Sequence, residues 1–311
     1  MRAAAPFLVL LLAACAGTGT STAPAANPSA APSATALPLG DGKVATSPRV
    51  GYVFACQTTF GNNGAPPGSA PWITGDTWNP AAKPAVQGEV AWPNARLDVA
   101  REGAERVVRT NNLPTHATGS FPIARSDPAY QYDGNPNAIR EQDVLLRLPA
   151  TPQAAAMATC VPQGMIGFAL SGAALFNALD AAGRDAAAHE VQDRCSGHPE
   201  RQGQYHYHSF SPCLRDAAGD AGRHSDLVGY ALDGYGLYGP FGENGARLTN
   251  ADLDACHGHT HTIPWDGAPV SLYHYHVTRE YPYTVGCYHG TPAARPGPAL
   301  RRLSSPGPRL P

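Results

Sequence analysis

The 311-residue chain carries 22 Lys+Arg against 24 Asp+Glu, a formal net charge of -2, and only 15 % of its residues are charged. So weak and balanced a charge offers no electrostatic footprint for nucleic acid, whose binding depends on neutralising phosphates. Gly (33) and Pro (31) make up about a fifth of the chain beside a hydrophobic share of 43 %, which argues against long helical bundles and fits a loop-rich globular body.

Residues 1–14 read as an export signal, with Arg2 at the positive start and Pro6 to Leu12 as a short apolar core. That core is well under the ~20 residues needed to span a bilayer. It runs into Leu12-Ala13-Ala14-Cys15, which resembles a bacterial lipobox, so Cys15 is the expected lipidation site and the start of the mature chain. The expected location is therefore the bacterial cell envelope, periplasmic or surface-facing, with the membrane contacted through the lipid alone. From Cys15 to residue 47 the chain is Ala, Pro, Ser, Thr and Gly with few large apolar groups, the composition of a flexible tether. Residues 48–104 form an N-terminal extension of the folded body, 105–290 its main domain, and 291–311 a Pro/Arg tail expected to be disordered.

Within the body, Arg106 to Arg109, Val144 to Leu148 and Gly229 to Tyr238 are short runs bounded by Gly, Pro and Asn, as strands between tight turns should be. One helix is expected, over the Ala-rich stretch Ala173 to Val191, interrupted at Gly183. The predicted fold is mainly β with short helical and loop segments.

The chain also repeats itself. Gly167 to Phe176 (GFALSGAALF) matches Gly229 to Tyr238 (GYALDGYGLY); Asp193-Arg-Cys195-Ser-Gly-His198 matches Asp254-Ala-Cys256-His-Gly-His259; and Tyr205-His-Tyr-His208 recurs as Tyr273-His-Tyr-His276. Three matches in one order imply two tandem pseudo-symmetric repeats, about 167–213 and 229–287. Setting Cys15 aside leaves six cysteines, which allow 15 pairings. The repeat favours Cys195 with Cys213 and Cys256 with Cys287, leaving Cys56 with Cys160. Disulfide staples of this kind belong to an oxidising compartment.

Eleven of the twelve histidines lie between His189 and His289. On a strand, alternation puts His206 and His208 on one face and Tyr205 and Tyr207 on the other, and likewise for His274 and His276. Each His-x-His pair can converge on one ion if a third imidazole arrives, and the D-x-C-x-G-H segments supply His198 and His259. Three imidazoles suit copper or zinc. Asp193 and Asp254 are candidates to hold a ligand imidazole from behind. His257, His259 and His261 would share a strand face, but Gly258 and Pro264 suggest a loop, so only His259 is favoured; His116, His189, His224 and His289 read as loop residues. Because imidazole ligates when neutral, affinity should fall below about pH 6. The competing readings are a metal-free Tyr/His core and an enzyme without a thiol or serine nucleophile, in which an open metal site activates water or oxygen.

The set of Thr110-Asn-Asn-Leu-Pro-Thr-His116, Asn135-Pro-Asn137, the run 193–199, Gly229 to Gly239 and Tyr281-Pro-Tyr-Thr-Val-Gly-Cys287 resembles the YHYH protein family, named for the tetrapeptide at 205–208, over about 105–290. The resemblance implies an exported or surface protein without an assigned activity and carries over no catalytic residue. It adds His116 as a possible further ligand, since that residue lies in a family-like segment outside the repeats. The function expected from the sequence is an envelope-anchored, His-rich copper- or zinc-binding protein. A metal-dependent extracellular hydrolase or oxidase, and a metal-free adhesion or scaffold module contacting protein or carbohydrate, are the alternatives.

Overall fold

Alternating apolar residues decide where the strands lie. Val144, Leu146 and Leu148 are buried while Leu145 and Arg147 face out, so this run pairs in an antiparallel meander of Leu97–Glu102, Glu105–Thr110 and Val144–Pro149. The structure, a computed structural model, describes residues 36–61, 70–214 and 222–294, all within one compact unit, Ala34–Pro311. The expected signal peptide, Cys15 and residues 295–311 of the tail lie outside the described residues. No helix among the described residues is long and apolar enough to cross a membrane.

The centre of the molecule is an eight-stranded sheet, whose strands we number in chain order: β1 Met165–Ala169, β2 Ala174–Phe176, β3 Gly197–Pro199, β4 Tyr205–Tyr207, β5 Leu227–Ala231, β6 Gly236–Tyr238, β7 Gly258–Trp265 and β8 Ala268–His276. Their order across the sheet is β3-β4-β2-β1-β5-β6-β8-β7. The pairing pattern of the first four strands recurs in the last four. β1 and β2 pair antiparallel with a register shift between Met165 and Gly167, and β5 and β6 with the same shift between Leu227 and Gly229. β2 runs parallel to β4 with Leu175 opposite Tyr207, and β6 parallel to β8 with Leu237 opposite Tyr275. At the outer edges His198 faces His206 and His259 faces His274. The halves meet where β1 and β5 pair and Phe168 stacks on Tyr230 at 5.6 Å.

The helix expected over Ala173–Val191 is not formed. Its start is β2, held by β1 on one side and β4 on the other; Asp180 then closes a turn by accepting the Ala182 and Arg184 amides, with Gly183 at φ +78°. Only Ala186–His189, which we call α1, is helical, capped by Asp185. Sheet pairing overrides the helical preference of alanine, and the small side chains let the layers approach. The tether also ends earlier than expected. Leu37–Pro38 pairs with Thr77–Trp78, Val44–Ala45 pairs with Val53–Phe54, and the Gly40 amide donates to Asp185 at 2.9 Å. Gly40 lies flat under the Tyr281 ring, where a Cβ would come within 2.1 Å. The boundary expected at 104–105 falls in a hairpin turn, with Gly103 at φ +65°, so the strand at 97–102 pairs straight across it and residues 48–104 belong to the same body as residues 105–290.

The three disulfides are Cys56–Cys160, Cys195–Cys213 and Cys256–Cys287, the pairing the repeat favours.

Candidate metal centres

Each half builds its histidine cluster from the same turn. Asp193 accepts the Cys195 amide at 2.8 Å, the Gly197 amide at 3.2 Å and the Tyr205 hydroxyl at 2.9 Å. Asp254 accepts the Cys256 amide at 2.9 Å, the Gly258 amide at 3.1 Å and the Tyr273 hydroxyl at 3.0 Å. These bonds aim the turn so that His198 and His259 reach the neighbouring strand. Asp193 and Asp254 do not sit behind a ligand imidazole, as the sequence suggests; they organise the turn and hold the tyrosines, because those tyrosines occupy the strand face opposite the histidines.

In the first half, His198, His206 and His208 come together, and all three are buried. The Nδ1 of His206 lies 3.0 Å from the Gln204 carbonyl, and the Nδ1 of His208 lies 2.5 Å from the Asn177 carbonyl. A carbonyl oxygen can only accept, so each Nδ1 carries the proton and each neutral ring turns a bare Nε2 inward. Those two Nε2 atoms are 3.0 Å apart. The cluster holds a fourth group that the sequence did not reveal: Glu190, the residue that caps the C-terminus of α1, places Oε2 3.2 Å from His208 Nε2 and 3.4 Å from His198 Nε2. Glu190 Oε2 and both nitrogens of His198 are buried without a hydrogen-bond partner. Phe176 stacks on His206 at 3.8 Å and closes one side.

In the second half five imidazoles converge: His224, His259, His261, His274 and His276. The Nδ1 atoms of His224, His274 and His276 face the carbonyls of Ser225 (2.7 Å), Leu272 (3.0 Å) and Gly239 (2.6 Å). Their bare Nε2 atoms again point inward, His224 lying 3.3 Å from His274 and 3.2 Å from His276. The Nε2 atoms of His259 and His261 are buried without a hydrogen-bond partner. Tyr238 stands where Phe176 stands in the other half, edge-on to His274 at 5.0 Å.

Electrostatics keep these rings neutral. Burial holds His208 down to about 4, and burial with the adjoining imidazoles holds His198 and His206 well below the ordinary histidine range. Burial likewise brings His224 to about 4 and His274 to about 3, and holds His276 well below and His259 below the ordinary range. The Glu190 carboxyl is pushed well above the carboxylate range, first by burial and then by the charges of Asp180 and Asp133.

The six histidines that the repeat singles out thus form two triads. The second cluster adds two imidazoles that the sequence does not favour. His261 lies on the His259 face of β7, which is a strand and not the expected loop because Pro264 is tolerated on an edge strand. Its alternation with His259 is the signal that could have found it. His224 has no counterpart in the first repeat and gives none. His116 joins neither triad: its Nδ1 faces the Ala117 carbonyl at 2.9 Å and its Nε2 the Tyr207 hydroxyl at 2.5 Å. The neighbouring Cys195 and Cys213 are disulfide-bonded and offer it no thiolate. His257 is a contrast inside the repeat, buried with its Nδ1 facing the His276 and Thr284 carbonyls and its Nε2 taken by Thr278. His189 pairs with Asp41 at 2.8 Å and His289 stacks on Tyr273 at 3.7 Å.

The sheet and its clusters define a mainly β, disulfide-bonded protein with two groups of histidines able to hold metal. Residues 145–247, about a third of the chain, match the family model described as YHYH protein, which supports a YHYH domain over that segment. The match covers the first cluster and ends before the second Tyr-His-Tyr-His. No curated protein and no solved structure matches the chain.

Proposed function

We propose that this protein is an exported, lipid-anchored binder of copper or zinc in the bacterial cell envelope, with one site in each histidine cluster. The observation that carries the reading is the inward convergence of bare imidazole nitrogens. His206 Nε2 and His208 Nε2 face each other at 3.0 Å with their protons committed to carbonyls on the far side of each ring. Two lone pairs at that distance repel, and burial opposes adding a proton to either ring. A cation between them removes the conflict. An ion with ligand bonds of ~2.0–2.1 Å in tetrahedral geometry sets its ligand atoms about 3.3 Å apart. The spacings of 3.0, 3.2 and 3.4 Å in the first cluster and of 3.2 and 3.3 Å in the second lie around that value. Three disulfides and the apolar N-terminal run support export.

Elemental analysis of the chain, purified from an oxidising compartment without an affinity His tag, tests the reading. After incubation with zinc or copper and desalting, about two ions per chain are expected. His206→Ala/His208→Ala and His274→Ala/His276→Ala should each remove about one of them. A folded protein that retains neither metal overturns the reading and leaves the histidines as a structural core.

A further inference from the structure

The clusters share a backbone plan and differ in everything that governs which ion they take and how fast it leaves. The first offers three converging imidazoles and a carboxylate oxygen, Glu190 Oε2, 3.2 Å from His208 Nε2 and 3.4 Å from His198 Nε2. Its rings are 4 %, 2 % and 4 % exposed, and the Glu190 side chain 15 %. The second offers five imidazoles with their ligand nitrogens within 4.8 Å of one another. His274 and His276 lie at its floor, fully buried, while His224, His259 and His261 are partly exposed at its mouth. At its rim Glu243 faces His261 Nδ1 at 3.3 Å, the nitrogen on the other side of that ring from Nε2.

Resting on the metal-binding reading above, we propose that the two clusters divide the work: the Glu190 cluster holds one zinc ion permanently, and the five-imidazole cluster takes up and releases copper. Zinc has no preference beyond four ligands and accepts nitrogen with oxygen, and the first cluster brings both donor types together. With its three imidazoles buried, a competing ligand reaches that ion slowly, so the ion acts as a staple between β3, β4 and the end of α1. Copper(II) favours tetragonal sets of nitrogen, four in a plane with a weaker fifth, and imidazole nitrogen binds it more tightly than it binds zinc. The second cluster has one imidazole more than a tetrahedral ion uses and no carboxylate among its convergent atoms. A spare ligand in a set of five lets an incoming chelator replace His224, His259 or His261, which are partly exposed, one at a time while the buried His274 and His276 keep hold. Stepwise substitution of that kind is what transfer to another binder requires. Copper remains divalent throughout, so no electron donor or acceptor is involved.

The test is competitive loading of the full chain with equimolar zinc and copper(II), followed by desalting, metal analysis and paramagnetic resonance, then a timed challenge with EDTA. About one zinc and one copper are expected, with a copper spectrum of nitrogen ligands, and EDTA should strip the copper first while zinc stays with the folded chain. His224→Ala/His261→Ala should weaken copper retention by roughly tenfold or more and leave zinc content unchanged. Glu190→Gln should lower zinc retention and leave the copper spectrum unchanged; unchanged near-ultraviolet circular dichroism shows that these variants are folded. Equal EDTA release rates at the two sites, the same ion in both, or copper retention indifferent to His224 and His261 overturns the division of labour while leaving metal binding intact. A folded chain with no metal at all overturns both.

Discussion

Glu190 is the residue on which the first cluster turns, and its chemistry separates the two sites by pH. Its carboxyl is held protonated well above the usual range by burial and by Asp180 and Asp133. A metal at the first cluster must displace that proton, so affinity there falls as pH drops below the raised carboxyl value. The second cluster has only imidazoles to compete for, and His224 and His274 are already down at about 4 and about 3. Its affinity should hold to lower pH than that of the first cluster. The fall below about pH 6 expected of an ordinary histidine site therefore moves lower at the second cluster, because His224, His259, His274 and His276 are desolvated before the ion arrives. Metal titrations between pH 4 and 7.5 should show the first site failing at the higher pH, and Glu190→Gln should flatten that profile. Coincident profiles in the unaltered protein would contradict it. The triads could be read from the sequence because the repeat marked one histidine per turn and two per strand. Glu190 could not, since it reaches the site from outside the repeated motifs.

At the scale of elements, the seam between the halves depends on glycine. A Cβ at Gly167 would lie 2.4 Å from the Tyr230 carbonyl oxygen, and one at Gly229 would lie 2.4 Å from that of Phe168. Backbone, not a flexible side chain, stands in the way on each side. Gly167→Ala and Gly229→Ala should each destabilise the fold by roughly 1–3 kcal/mol, the cost of overpacking a closed interface. Urea unfolding measures this, and a substitution within ±0.5 kcal/mol of the parent would show that the seam can yield. The seam was legible in outline, because both glycines open the repeated G-aromatic-A-L motif. The neighbouring Ala173–Val191 segment was not: its composition favours helix, and the partners that make it a strand, β1 and β4, lie elsewhere in the chain. The expected tether misled for the same reason, since Gly40 and Asp41 are ordered by Tyr281, Asp185 and His189, far away in sequence.

Across the whole molecule, the disulfides and the proposed metal sites share the same turns. The Cys256–Cys287 bridge closes a 31-residue separation, and its Cys256 stands three residues before His259 on the turn ordered by Asp254. In the chain-entropy account such a bridge stabilises by about 3–4 kcal/mol. A metal that binds only the folded chain adds RT ln(1 + [L]/Kd), about 2.7 kcal/mol at a hundredfold excess over Kd. If the two staples acted independently, each would add its full increment regardless of the other. The turn geometry predicts more than that, because losing the bridge also loosens the approach of His259 to His274 and so weakens the site itself. Thermal unfolding of four forms, with and without copper and with Cys256→Ser/Cys287→Ser or without, measures the coupling. Copper should raise the midpoint of the bridged protein more than that of the serine variant, whereas zinc at the first cluster should raise both alike, because the Cys195–Cys213 bridge beside His198 is untouched. Equal copper shifts in the two backgrounds would show that the disulfide and the second cluster are independent.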